Sequence, residues 1–158
     1  MRTNGKVLVP TDFSEQSEEA LRRACVLASQ FEAEVHLLHT VEPPIYIDAD
    51  LVLISPIDAI VKAQHQVATK RLTKQAQGVD FPVQTHLKDA TANAAQAICD
   101  FAKNMGSDLI VIGRHGEKGM FEHMLLGSTA ERVVRFAPCS VLVVMPHGIF
   151  ADESGKVN

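Results

Sequence analysis

Short aliphatic runs alternate with stretches of helical period along this chain, and the alternation predicts five strands and four helices. Lys6–Pro10 (KVLVP) is apolar at successive positions and closes on proline, the pattern of a strand buried on both faces. Ser14–Phe31 follows with apolar residues at 20, 21, 24, 27, 28 and 31, a helical stripe. Ser14 fits its N-cap, and Glu15, Glu18 and Glu19 complement the helix dipole. Glu34–Val41 (EVHLLHTV) predicts a second strand, ended by Glu42-Pro43-Pro44. Residues 42–57 show no helical period and are long for a connector, so Leu51–Ile54 is expected to form an extra short strand or a flap. Asp58–Gln77 predicts a second helix stopped by Gly78, Val83–Leu87 a third strand, and alanine-rich Thr91–Met105 a third helix with Gly106 just past it. Leu109–Gly113 (LIVIG), Ser128–Phe136 and Ser140–Met145 (SVLVVM) complete the series as strand, helix and strand, with Pro138 stopping the last helix. The stretch from His147 to Asn158 is polar, so the expectation is one domain over 1–146 and a tail over 147–158.

Strands that are aliphatic at every position belong in a parallel sheet covered by helices on both faces, an α/β fold. Ligands of such sheets bind beyond the carboxyl ends of the strands, where the winding direction reverses. Composition narrows what such a ligand can be. The 158 residues, 46% apolar and 22% charged, are those of one globular domain. Lys and Arg number 15 against 19 Asp and Glu, a formal net charge of −4. That balance offers no general field for nucleic acid or an anionic membrane, so a bound phosphate has to be held by local geometry. No apolar run approaches the ~18 residues of a membrane span. Pro10 and Asp12 interrupt the apolar stretch behind Arg2 and Lys6, which speaks against a signal peptide. Cys25, Cys99 and Cys139 are scattered without a Cys-x-x-Cys and read as buried hydrophobes in a reducing compartment. The expectation is a cytoplasmic protein.

Two strand ends carry chemistry. The fourth exits into Gly113-Arg114-His115-Gly116-Glu117-Lys118-Gly119, a glycine-spaced loop that lets backbone N–H groups approach a ligand closely. Beyond it lies Gly127-Ser128-Thr129-Ala130-Glu131, in which Ser128-x-x-Glu131 is a capping box that marks a helix N-terminus. A helix N-terminus offers free donors and about half a positive charge, so the two segments together suggest a phosphate cradle made mostly of backbone. Turn geometry and an ordinary cap explain the same glycines and serine without a ligand. The first strand exits into Pro10-Thr11-Asp12-Phe13-Ser14, where Asp12 either accepts from a sugar hydroxyl or adenine amino group or serves the helix start. Neither Gly-x-x-x-x-Gly-Lys-Ser/Thr nor Gly-x-Gly-x-x-Gly occurs, which disfavours P-loop and dinucleotide-binding proteins. His36 and His39 point to opposite strand faces, and His65, His86 and His147 have no partner at ligand spacing, so no metal site is expected. His115 either contacts a phosphate or is solvated. No nucleophile elbow is present, and no catalytic residue is assigned.

The three blocks KVLVPTDFSEQSEEAL, SDLIVIGRHGEKG and LLGSTAERVVRFAPCSVLVV resemble, in order and spacing, the universal stress proteins of the UspA superfamily over about 1–146. Gly113, Gly116, Gly127 and Ser128 are similar to the glycine pattern of the nucleotide-binding branch; the ten residues from Glu117 to Leu126 make its gap one residue longer. The resemblance implies a Rossmann-like, open parallel five-stranded sheet of order 3-2-1-4-5. It implies adenine nucleotide binding, usually ATP, with Mg²⁺ as an optional companion. By similarity Asp12 and the Val41 backbone hold adenine and ribose, Gly113 approaches the ribose, and His115, Gly116, Gly127, Ser128 and Thr129 line the phosphates. Pro10, Thr11 and Ile112 would form apolar walls. It also implies a homodimer paired through Ser140–Met145, the alternative being that the tail from His147 folds back over that edge, and a regulatory role through nucleotide-dependent binding of a partner protein. A nucleotide-independent interaction module and a slow ATP hydrolase or self-phosphorylating protein are the alternative readings.

Overall fold

The order of elements is β1 (Lys6–Pro10), α1 (Glu15–Phe31), β2 (Glu34–Val41), α2 (Ile57–Gln77), β3 (Val83–Asp89), α3 (Ala94–Met105), β4 (Leu109–Gly113), α4 (Ser128–Phe136) and β5 (Ser140–Val144). A computed structural model describes residues 4–42, 57–116 and 126–145. The expected flap at Leu51–Ile54, the loop glycine Gly119 and the tail from His147 lie outside the described residues.

All strand pairs are parallel, and the sheet order is β3-β2-β1-β4-β5, as the resemblance implies. The continuous aliphatic runs explain themselves once both faces are traced. Val7, Val9, Val35, Leu37 and Val111 face one side and pack against Ala20, Leu21, Ala24, Cys25 and Ala28 of α1 and Leu72 of α2. Leu8, Leu38, Ile110 and Ile112 face the other and pack against Ala95, Ile98, Cys99 and Ala102 of α3 and Ala130 and Val133 of α4. Alanines at the helix–sheet contacts bring the helix axes close, and each fully buried aliphatic contributes about 1.5–3 kcal/mol. The two edges differ. In β3, Gln84, Thr85, Lys88 and Asp89 are exposed, which blunts that edge. β5 instead presents Leu142, 39% exposed.

Element boundaries differ from expectation by one to three residues, α2 for instance beginning at Ile57 rather than Asp58. α3 starts at Ala94, not Thr91, because Asn93 is the residue whose side chain accepts from the Gln96 N–H at 3.0 Å. β3 runs on to Asp89 because Lys88 and Asp89 pair with Thr40 and Val41. β5 stops at Val144, whose partner Gly113 is the last residue of β4. Ser14 caps α1 as expected, accepting from the Ser17 N–H.

Candidate functional site

β1 hands the chain to α1 on one face of the sheet and β4 hands it to α4 on the other, so the winding reverses between the adjacent ends of β1 and β4. At the β1 end, Thr11 is 7% exposed. Its N–H donates to Leu38 O, and its hydroxyl accepts from Phe13 N at 2.9 Å and stands 2.9 Å from Ser17 Oγ and 2.8 Å from Gln75 Oε1. It fastens β1 to α1 and α2. Pro10 is buried at the same end, and Ile112 packs beneath α3 and α4. Phe13 has φ 67, a left-handed conformation that costs a bulky residue about 1–3 kcal/mol. Its ring lies 4.4 Å from that of His39 and 4.3 Å from the Arg71 guanidinium. His39 Nδ1–H donates to Thr11 O at 2.8 Å; burial, with Arg71 nearby, holds its pKa below the ordinary range.

Asp12 follows from this turn. Its Oδ1 accepts from the Ser14 N–H and hydroxyl, which is the helix-start role, and its Oδ2 faces Gly116 so closely that a Cβ there would collide with it. The other two glycines are also explained by contact rather than by dihedral freedom, since none of the three has a positive φ. A Cβ on Gly113 would come 3.1 Å from Gln16 Cβ and 3.2 Å from Gln16 O, so this glycine lets the first turn of α1 touch the end of β4. A Cβ on Gly127 would come 3.1 Å from Arg114 O and 3.3 Å from His115 Cα.

The two glycine segments converge: Gly127 N–H donates to Arg114 O at 2.8 Å. That bond fixes the chain one residue before Ser128, so the N-cap of α4 is Gly127, with no side-chain cap, and the capping box of Ser128 and Glu131 does not form. Arg114 N–H is spent on Val144 O and His115 N–H on Gln16 Oε1. The amides left over are those of Ser128, Thr129 and Ala130, which have no acceptor among the described residues; the first helical bond runs from Glu131 N to Gly127 O. His115 Nδ1 is buried without a partner among the described residues, beside Gly127. Three unspent donors at a helix start, an orphaned ring nitrogen and a glycine-only approach fit a phosphate group. Val41 ends β2 half-buried, and its carbonyl already accepts from Ala90 N at 2.8 Å, leaving one lone pair for anything else.

Gln16 and Phe13 lie inside the first sequence block without a role that spacing could assign, His39 reads from the sequence only as a candidate metal ligand, and Arg71 belongs to no local motif. A pair of histidines and a histidine–aspartate pair also carry no sequence signature. His36 Nδ1 lies 3.0 Å from His86 Nε2, and His65 Nε2 lies 2.6 Å from Asp89 Oδ1. Burial holds His36 below the ordinary range against the pull of Glu34, and burial does the same to His86, with His36 and Lys88 adding to it. Among the described residues no three His, Cys, Asp or Glu are grouped to hold a metal, and no helix is long and apolar enough to cross a membrane. Two cavities among the described residues lie away from these strand ends, about 760 Å³ along α2 and about 340 Å³ between α1 and α2.

Residues 3–145 match the Universal stress protein family. The chain is 36% identical over 143 residues to universal stress protein MJ0531 of Methanocaldococcus jannaschii, covering 88% of this chain and 81% of that one. The structure of hypothetical protein MJ0577 superposes with a TM-score of 0.75 at 25% identity, covering 93% of this chain and 99% of that one. Two further structures share the fold at 20% identity: the universal stress protein from Archaeoglobus fulgidus in complex with dAMP (TM-score 0.62, 91% and 100% covered) and a universal stress protein in complex with cAMP (0.61, 92% and 100%). A match over nearly the whole chain, the shared sheet order and the converging glycine segments agree, and the chain belongs to the universal stress protein family.

Proposed function

We propose that this protein binds an adenine nucleotide, ATP in the first instance and with or without Mg²⁺, at the ends of β1 and β4, and that it acts as a stress-response regulator in the cytoplasm. The observation that carries the reading is the set of amides of Ser128, Thr129 and Ala130 that have no acceptor among the described residues, held against the 113–116 loop by the bond from Gly127 N to Arg114 O. The helix start supplies donors and a partial positive charge to phosphate, which suits a chain whose net charge is −4. His115, Gly116, Gly127, Ser128 and Thr129 are the phosphate side of the site. Asp12, Gly113 and the backbone of Val41 are the nucleoside side, with Pro10, Thr11 and Ile112 as the packed base under it. The dAMP and cAMP complexes of fold relatives support an adenine ligand. Regulation then works by population shift: nucleotide changes the shape presented to a partner protein only as far as it binds one conformation better than another. The apolar β5 edge, with Leu142 39% exposed and Met145 just beyond the strand 44% exposed, favours a homodimer through Ser140–Met145.

The test begins with protein purified without added nucleotide, denatured, and its released small molecules separated by chromatography. An adenine nucleotide near one per chain, and calorimetric binding of ATP that Gly127→Val abolishes without unfolding the protein, are the expected results. Binding that survives Gly127→Val contradicts the cradle.

A further inference from the structure

Gln16 occupies the first turn of α1, two residues after the cap Ser14. Its backbone is pressed against the end of β4, where only a glycine at 113 leaves room for it. From that fixed point its side-chain oxygen accepts the His115 N–H at 2.9 Å, a bond between residues 99 positions apart. The β4 ladder has by then run out: Gly113 pairs with Val144 and Arg114 N–H donates to Val144 O. The His115 N–H is the next donor in line, and without Gln16 it has no acceptor among the described residues. On its other side the His115 Cα backs onto Gly127, the residue that precedes the unspent amides of α4.

We propose that Gln16 is a positioning residue for the glycine loop, setting through the His115 backbone the spacing between residues 113–116 and the start of α4. The inference rests on the nucleotide-site reading and adds to it a residue that touches no ligand. Its chemistry is suited to the place. An amide oxygen accepts the same hydrogen bond a carboxylate would, without adding a second negative charge next to Asp12 at a surface meant for phosphate.

The test uses the full-length protein with Gln16→Met, which keeps side-chain length and removes the acceptor, and Gln16→Glu, which keeps the acceptor and adds charge. Three quantities are read: hydrogen exchange of the His115 amide by NMR, calorimetric affinity for ATP and for adenosine, and melting temperature. In Gln16→Met, loss of the bond should speed His115 exchange about tenfold and leave the loop competent a correspondingly smaller fraction of the time, weakening ATP about tenfold. The melting temperature should fall by no more than about 4 °C. Gln16→Glu should restore His115 protection and keep adenosine affinity unchanged while leaving ATP binding weak. Unchanged His115 exchange in Gln16→Met overturns the bond, and lost protection with unchanged ATP affinity overturns the positioning role. Wild-type protein that binds neither ligand refutes the site reading instead, and the exchange comparison still decides whether Gln16 holds the loop.

Discussion

Replacing Thr11 with Val exchanges a hydroxyl for a methyl of nearly the same size at the joint where β1, α1 and α2 meet. The side chain is 7% exposed, so water does not readily replace what is lost. Phe13 N–H loses its acceptor at 2.9 Å, and the single hydroxyl proton shared between Ser17 Oγ and Gln75 Oε1 disappears. Two hydrogen bonds at about 1 kcal/mol each, plus up to about 2 kcal/mol for the part-buried Phe13 N–H left unpaired, give a loss of about 2–4 kcal/mol. The Phe13 backbone at φ 67 also loses the bond that helps hold it there. At roughly 2–4 °C per kcal/mol for a chain of this size, the melting temperature should fall by about 4–16 °C. Urea unfolding is the assay, with an unchanged m-value showing that the denatured state is unaffected. Thr11→Ser keeps the hydroxyl and should recover most of the loss. A cost below about 0.5 kcal/mol for Val, or a Ser variant as weak as Val, refutes the argument that this hydroxyl is a fastening rather than a site wall.

Gly106 has φ 68 and a side chain there would meet no atom within 4 Å among the described residues, so Gly106→Ala should cost about 1–2 kcal/mol by urea unfolding through backbone conformation alone, with Gly106→Asn costing less. His36, His39 and His86 all titrate below the ordinary 6.5 when folded, so below that pH they bind fewer protons folded than unfolded. Stability should therefore fall as pH drops from about 6.5 through the lower folded values, and His86→Gln should flatten the slope measured by urea unfolding between pH 8 and 5. An identical slope in the variant contradicts this account of the pair. Analytical ultracentrifugation should find a species of twice 17.2 kDa, reduced to one chain by Leu142→Lys on the β5 edge; a Lys variant that remains dimeric places the interface elsewhere.

The fold was legible because runs such as Val7-Leu8-Val9 have one physical solution, a strand with a helix layer on each side, and the helical stripe of Ala20, Leu21, Ala24 and Ala28 has another. Boundaries were less legible where the deciding bond is not local. The Ser128-x-x-Glu131 spacing allows a capping box, but Gly127 is tied to Arg114 across the loop, and that contact decides where α4 begins. Asn93 was a readable cap hidden inside an alanine-rich stretch whose helical period runs through it. Within the site, the glycines at 113, 116 and 127 could be recognised as a pattern. Their reasons could not, because each is required by a residue elsewhere: Gln16, Asp12, and Arg114 with His115. The pair of His36 and His86, 50 positions apart on neighbouring strands, has no sequence signature at all.

The decisive measurement is the amide NMR spectrum during titration with ATP, and then with adenosine. A phosphate held by the start of α4 gives saturable shifts concentrated at the N–H groups of Gly116, Ser128, Thr129 and Ala130 with ATP, and much smaller ones at Ser128–Ala130 with adenosine, which lacks the phosphates. ATP that leaves those amides unmoved, or that shifts a different part of the molecule, contradicts a phosphate site there.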